Sequence, residues 1–473
     1  MKGAWLTVAL ALATAIVAVP GSRPVRAENL GQAWSIALGI NQGLQSQQAE
    51  SIAQGLNLAA VRSARLPTVR SLNFEAFLTA TPGIKATLPS AGGTAASATP
   101  GSTLAALSGT PFTFPILGAG QRQLPTSITF AGVPLYTGGK IRRSIDAASA
   151  RVGAQRAEEY RTALDLKLTV AEAYVGVLRS NKDLEVARSN VTRLDAFARD
   201  VRNRREQGMA IKSDELAAEV SLANARLSEI QARTASESAW AAYNRYLCRP
   251  LDMVVPLDEL SELPPDADWK SLAAKATQPG AKLGDENEVR ALTDHALGAR
   301  PELVGLSEQA RGLGAQAEAT RAGLMPQASF VVGYGWLGSN SLVPQGIGAA
   351  AFVVDWTITD SGATRRRAAA LRQQECASLK RRSDVAADIA LQVRTRWLAL
   401  QQARLRLPVA RLAITQAEEN VNVVTDRYRQ QLSTYTEVLD AENRRVQSLT
   451  NFYNALYDES LALFRLHRAV GDL

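Results

Sequence analysis

The sequence predicts a mixed α and β membrane protein built as a tandem repeat, and three observations predict it. The first is a duplicated interruption in a long helical pattern. Arg427 to Glu442 aligns without a gap on Arg204 to Glu219, at an offset of 223 positions. Arg204 falls on Arg427, Gln207 on Gln430, Asp214 on Glu437, Leu216 on Leu439 and Glu219 on Glu442. Each copy breaks the periodicity with a few turn-capable residues and restarts it, which reads as helix, tip, helix. The second is heptad-like spacing on either side of the tips, too long for an ordinary globular helix. The third is four short segments of period-two alternation in a chain with no apolar helical span beyond its first residues.

Taken in order, residues 1–27 read as a secretory signal peptide. Lys2 is the charged n-region, Ala4 to Val19 the apolar h-region, and Val25-Arg26-Ala27 a small-x-small cleavage site. An uncleaved anchor is the weaker reading, because the run is short for a span and ends in Pro20-Gly21. Residue 28 is Glu, so the new N-terminus carries no lipid-modified cysteine. Cleavage removes Lys2, Arg23 and Arg26 and so lowers the formal charge of +8.

The first repeat, 28–255, opens with a helical pattern through Trp34, Ile36, Leu38 and Leu44 to about Arg65, where Leu66-Pro67 stops it. In the strand that follows, Leu72, Phe74, Ala76 and Leu78 alternate with Ser71, Asn73, Glu75 and Thr79. From about 81 to 123 the chain is rich in Gly, Ala, Ser, Thr and Pro and is expected to be a long, largely irregular loop. A second strand spans roughly Ser127 to Tyr136 and leads through Gly138-Gly139 into a helix reaching Gln207. Its seam runs Leu164, Leu168, Ala171, Val175, Leu178 and, after a phase shift at Asn181-Lys182-Asp183, Leu184, Ala187, Val191, Leu194, Ala198, Val201. About 70 residues at 1.5 Å each make a rod of roughly 100 Å, which must lie against other rods. Gly208 turns the chain, and a return helix runs to Arg249-Pro250.

After a linker at 256–287, the second repeat, 288–473, uses the same order. Ala296-Leu297-Gly298 repeats Ala37-Leu38-Gly39 and Met325-Pro326 repeats Leu66-Pro67, both at an offset of 259. Strands at Ala328 to Leu337 and Ile347 to Ile358 follow, and beyond Asp360-Ser361-Gly362 the offset is 223 to the end. The change of offset places one insertion in the first strand–strand loop. Pro408 is expected to kink the second long helix.

Several function classes fall away. No Lys/Arg block interleaved with aromatics is present, so nucleic acid is not an expected partner. Cys248 and Cys376 fall roughly 20 Å apart along the predicted rods, too far for a bridge, and are expected to be free, buried, structural thiols. His295 and His467 have no neighbouring ligand set for a metal. Gly333-Tyr334-Gly335-Trp336-Leu337-Gly338 matches a dinucleotide fingerprint but precedes no helix N-terminus. With no Ser/His/Asp set or phosphate loop either, the sequence points to no enzyme.

In the second repeat Phe330, Tyr334, Trp336, Phe352 and Trp356 carry the apolar, aromatic side of the strand pattern, with small or polar residues between them, and are expected to face lipid. A soluble two-layer sandwich would give a similar alternation. Four strands are too few for a sandwich core or a closed barrel, which favours edges shared with other chains.

The layout resembles the TolC family of outer-membrane efflux and secretion channels. The resemblance covers essentially the whole mature chain. It is carried by Leu66-Pro67 and Met325-Pro326, by Pro134-Leu135-Tyr136-Thr137-Gly138-Gly139, and by the tips, above all Tyr435-Thr436-Glu437-Val438-Leu439-Asp440-Ala441. It implies a homotrimer in the outer membrane of a Gram-negative bacterium, without a cofactor. Twelve strands, four per chain, form a β-barrel in outer-membrane lipid, continued by a long periplasmic barrel of twelve helices. It implies a passive exit duct of a tripartite efflux or type I secretion system, with an iris-like gate. The partners are a periplasmic adaptor and, through it, an inner-membrane pump. Asp214 and Tyr428 would form the gate, and Glu437 and Asp440 stacked acidic rings in the lumen. Arg204, Gly208, Met209, Arg427, Leu432 and Ser433 would meet the adaptor. Gln431 stands where the family often has Gly, and Ser433 where an Arg gate partner can occur. Glu437 and Asp440 read equally well as exposed charges at a helix start. The competing reading of the whole chain is a periplasmic coiled-coil adaptor, or an envelope spacer, without a pore.

Overall fold

The computed structural model describes residues 27–77, 83–86, 112–115, 123–260, 286–338 and 344–473. All of the expected leader but Ala27 lies outside them, as does most of the expected linker. In chain order the elements are α1 (Leu30–Ile40), α2 (Gln42–Ser63), β1 (Thr68–Phe77), β2 (Gly83–Ala86), β3 (Phe112–Pro115), β4 (Gln123–Tyr136), α3 (Lys140–Glu206) and α4 (Lys212–Tyr246). The second repeat supplies α5 (Glu286–Ala299), α6 (Pro301–Arg321), β5 (Gln327–Leu337), β6 (Gly346–Asp355), α7 (Ala363–Arg429) and α8 (Tyr435–Val470). A short 3₁₀ turn, Ala322–Leu324, precedes β5.

The two long helices, α3 and α7, are 67 residues each, and α7 runs through Pro408 without ending. One expectation about the helices is corrected. The opening helical pattern of each repeat is two helices, broken at Asn41 and at Arg300, which correspond at the offset of 259. Asn41 is extended, and its side chain accepts from the Leu44 N–H to start α2. Pro301 occupies the first helical position of α6, where its missing N–H costs nothing. The predicted irregular loop also contains a small antiparallel ribbon of β2 and β3.

The chain divides into two compact units that cut across the repeats, because each takes pieces of both. One comprises residues 1–46, 161–300 and 388–473. Its core joins α1, α3, α4 and α8 through Ala33, Val170, Tyr174, Trp240, Tyr243 and Phe464. At its edge sits Glu28, almost fully buried. The Arg249 guanidinium meets its carboxylate at 2.7 and 3.2 Å, and the Tyr243 hydroxyl donates to it at 3.1 Å. The Tyr174 hydroxyl donates to the Glu28 and Asp258 carbonyls. Burial, then the neighbouring carboxylates, push both phenols far above their ordinary range.

The other unit, residues 47–160 and 301–387, holds the main sheet, antiparallel throughout in the order β1-β4-β5-β6. Each repeat leaves the sheet through the same left-handed turn, Gly138-Gly139 in the first and Ser361-Gly362 in the second. A Cβ at Gly138 would strike the Met325 side chain. In the second repeat the Asp360 carboxylate accepts from the Gly362 and Thr364 N–H groups and so starts α7. The two cysteines are free, as expected, but both are exposed rather than buried, Cys248 in the left-handed turn just past α4 and Cys376 on α7.

Arg249→Ala strands the Glu28 carboxylate in a buried site, at a cost of about 3 kcal/mol. The midpoint of thermal denaturation is expected to fall, and Arg249→Lys to recover part of the loss.

Candidate functional site

The two tips, both in the first unit, end their long helices in the same way. At the α3 end, the Met209 N–H bonds the Arg204 carbonyl at 2.8 Å and the Gly208 N–H bonds that of Arg205 at 2.9 Å. At the α7 end, Leu432 bonds Arg427 at 2.8 Å and Gln431 bonds Tyr428 at 3.0 Å. This paired closure needs a left-handed residue just past the helix. Gly208 takes it at φ +75° and Gln431 at φ +64°, so Gln431 bears the steric cost that Gly208 avoids. Met209 and Leu432 are thereby held out as the apolar points of the two turns, 54% and 72% exposed.

Behind this common turn the tips differ. The first is closed by ions: the Glu215 carboxylate, nearly buried, takes the Arg205 guanidinium and, at 3.5 Å, that of Arg202. Arg202 also reaches Glu219 at 2.7 Å. At the corresponding positions the second tip has Thr425, Tyr428, Val438 and Glu442, and it is closed by rings. Phe197 of α3 stacks on Tyr435 with ring centroids 5.2 Å apart and meets Tyr428 at 5.7 Å. Tyr428 and Tyr435 lie edge to face at 6.3 Å. Further from the tip, Arg193 and Arg445 converge on Glu442 at 3.4 and 2.8 Å. A groove of about 580 Å³ opens beside the rings, between Arg193, Asp200, Asp426 and Glu442.

The residues singled out from sequence fall into this frame unevenly. Tyr428 is buried; desolvation, then the Asp214 charge, raises its phenol, with Arg204 opposing. No hydrogen bond joins Asp214 to Tyr428 among the described residues, so the two interact through space. Arg204 is drawn inward, pairing with Asp200 at 3.0 Å and lying over the Tyr428 ring at 5.4 Å. Arg427 is exposed, and the Ser433 hydroxyl donates to the Val424 carbonyl. The Glu437 carboxylate accepts from the Thr434 hydroxyl at 3.1 Å and, weakly, its N–H, which makes it a helix-start group. Asp440 is exposed with no partner among the described residues. Phe197, Arg205 and Glu215 escaped the sequence reading, which named Tyr435 only as part of the second tip and gave it no role. Opposite charges flanking the first turn were a usable signal for Arg205 and Glu215.

In the sheet, partners across the ladder share a face. Ser71 pairs with Thr129, Thr129 with Tyr334, and Tyr334 with Gly348. Leu72 pairs with Ile128, Ile128 with Gly335, and Gly335 with Ile347. Phe330, Tyr334, Trp336 and Phe352 therefore lie on the face of Ser71, Asn73 and Glu75, opposite Leu72, Phe74, Ile128 and Phe130. Trp356 lies beyond β6, its indole N–H on the Leu324 carbonyl at 3.1 Å.

The model of the outer membrane efflux protein family matches residues 84–247 and 292–472, well over half of the chain. The chain belongs to this family. No curated protein sequence matches it, but solved structures do. The outer-membrane channel OprN shares 17% identity over 94% of this chain and 90% of its own, with a TM-score of 0.70. VceC of Vibrio cholerae shares 15% over 93% and 96%, with a TM-score of 0.71. The open state of the Neisseria gonorrhoeae channel MtrE shares 17% over 93% and 88%, with a TM-score of 0.68. The fold is that of an outer-membrane β-barrel continued by a long α-helical barrel, and the protein is an outer-membrane efflux channel. The family is one of passive channels, not of enzymes, and a pore-less adaptor or spacer is set aside.

In this member of the outer membrane efflux family the second turn carries avoidable strain. Gln431→Gly is expected to stabilise it by about 1 kcal/mol and Gly208→Ala to destabilise the first by a similar amount. Amide hydrogen exchange at 427–435 and 204–212 reads both. Burial pushes the Tyr435 phenol up to about 12, with a smaller opposing effect from the Ser221 hydroxyl. An unfolded tyrosine ionises near 10, so its contribution is complete below pH 10 and lost as pH climbs towards 12. Ultraviolet titration should show this late phenol, and Phe197→Ala should bring it back towards 10.

Proposed function

We propose that three copies of this chain close one twelve-stranded barrel and one twelve-helix tunnel, forming the exit duct of a tripartite pump in a Gram-negative envelope. One observation carries the reading: among the described residues β1 and β6 end the sheet with unpaired edges, and four strands cannot close on themselves. An edge in a bilayer must be satisfied by another edge, and a second copy offers β6 to β1. The chain would be exported with cleavage after Ala27.

The tips form the periplasmic entrance. Arg202, Arg205, Glu215 and Glu219 keep the first hairpin a self-contained post. The second leans on it through Tyr428, Tyr435 and Phe197, and opening swings the second hairpin off that contact. Asp214 and Arg204 tune the contact through their charges on Tyr428. Glu437 and Asp440, repeated threefold, ring the entrance with carboxylates and favour cations. Met209 and Leu432, with Gly208, Arg427 and Ser433 around them, are the apolar points that a periplasmic adaptor grips, coupling the duct to an inner-membrane pump.

Purified protein in detergent is expected to sediment at three times the chain mass and to conduct in planar bilayers with a preference for cations. Glu437→Ala with Asp440→Ala should lower that preference and leave the trimer intact. A monomer without conductance would overturn the duct, and an unchanged ion preference would remove the acidic rings.

A further inference from the structure

Every junction between the main sheet and the helices carries exposed cations. The register brings the four junctions to one end of the sheet: Thr68 pairs with Gly132, Tyr136 with Ala328, and Gln327 with Asp355. Arg62, Arg65 and Arg70 lie where α2 gives way to β1, and Lys140, Arg142 and Arg143 where β4 gives way to α3. Arg321 ends α6, and Arg365, Arg366 and Arg367 stand in the opening turns of α7. All ten are exposed. The carboxylates nearest in sequence are Asp146, Glu318, Asp355 and Asp360, and three of these are already engaged. Arg143 meets Glu318 at 2.8 Å and Asp146 at 3.7 Å, Glu318 also takes Arg372 at 3.0 Å, and Asp360 caps α7. The other nine cations make no ion pair among the described residues.

Helix stability does not account for the arrangement. Neither α3 nor α7 has an acidic residue in its first turn, and the cations there oppose the helix dipole. The orphan N–H groups of both helix starts add positive potential on the same side. Six like charges are thus held where the backbone already favours an anion. Beside them Tyr136 and Trp356 are more than half exposed, rings with a polar edge of the kind that settles among lipid headgroups. On the duct reading this end of the sheet lies at the periplasmic surface of the outer membrane. We infer that the belt binds the phosphates of anionic glycerophospholipids in that leaflet, which hold the barrel at a fixed depth. The inference rests on the duct reading and adds a lipid class to it.

The side chains suit that partner. Nine of the ten are arginine, whose fork takes two phosphate oxygens at once and whose stem lies along apolar surface. Arg365, Arg366 and Arg367 step round α7 by about 100° each. They therefore sweep more than half of its circumference and cannot all turn into a bore.

The test uses full-length channel purified in detergent and offered dioleoylphosphatidylglycerol or dioleoylphosphatidylcholine, with the lipid retained per chain counted by native mass spectrometry. The parent is expected to hold the anionic lipid more tightly, the preference narrowing as salt rises. Arg142→Gln, Arg365→Gln, Arg366→Gln and Arg367→Gln together should cut that affinity about tenfold. The same charge removed farther along α7, by Lys380→Gln, Arg381→Gln, Arg394→Gln and Arg396→Gln, should leave it unchanged. Equal retention of the two lipids, or equal loss in both variants, overturns the belt. Displacement by inorganic phosphate beyond that caused by chloride of the same ionic strength would make it a site for free anions and overturn it too. So would a changed ion preference in bilayers with lipid retention intact, which would place the arginines in the bore. A channel that keeps the anionic lipid but does not conduct counts against the duct alone.

Discussion

The backbone of a strand carries a hydrogen-bond donor and acceptor at every residue, and in hydrocarbon each one left open costs several kcal/mol. Among the described residues this chain pairs four strands into its main sheet and leaves the outer sides of β1 and β6 open. On the proposed reading, identical neighbours supply the partners that those edges lack. Long helices with apolar seams, of little use to an isolated chain, become the staves of a wall once neighbours are present.

Much of this was legible in the sequence because it is periodic. The tip duplication, the heptads from Leu164 to Val201 and the alternation around Phe74 and Phe330 are all local patterns, and the corresponding elements form. The breaks at Asn41 and Arg300 were readable in principle from Asn41 itself and from Pro301, but continuing helical periodicity on either side hid them. The β2–β3 ribbon escaped because its two strands are short and its composition is that of a loop. Which way a strand faces was not legible at all. Alternation gives two sides to each strand, and only the pairing of Thr129 with Tyr334 tells which sides belong together.

The same limit governs the tips. Sequence alignment makes Asp214 the counterpart of Glu437, and the turns themselves are indeed alike, down to left-handed residues at 208 and 431. Yet the substitutions behind those turns, Tyr428 for Arg205 and Val438 for Glu215, replace one kind of cohesion with another. Phe197, which completes the aromatic contact, comes from the other repeat and has Asn420 as its own counterpart. Duplication preserved the backbone and let the chemistry diverge.

That divergence gives the two hairpin ends different susceptibilities to their surroundings. Guanidinium–carboxylate pairs as exposed as Arg202 with Glu219 loosen as dissolved salt screens them. Stacked rings such as Phe197 on Tyr435 are indifferent to salt and answer instead to temperature and to apolar solutes. A change in the salt around the protein therefore acts on the first hairpin end more than on the second.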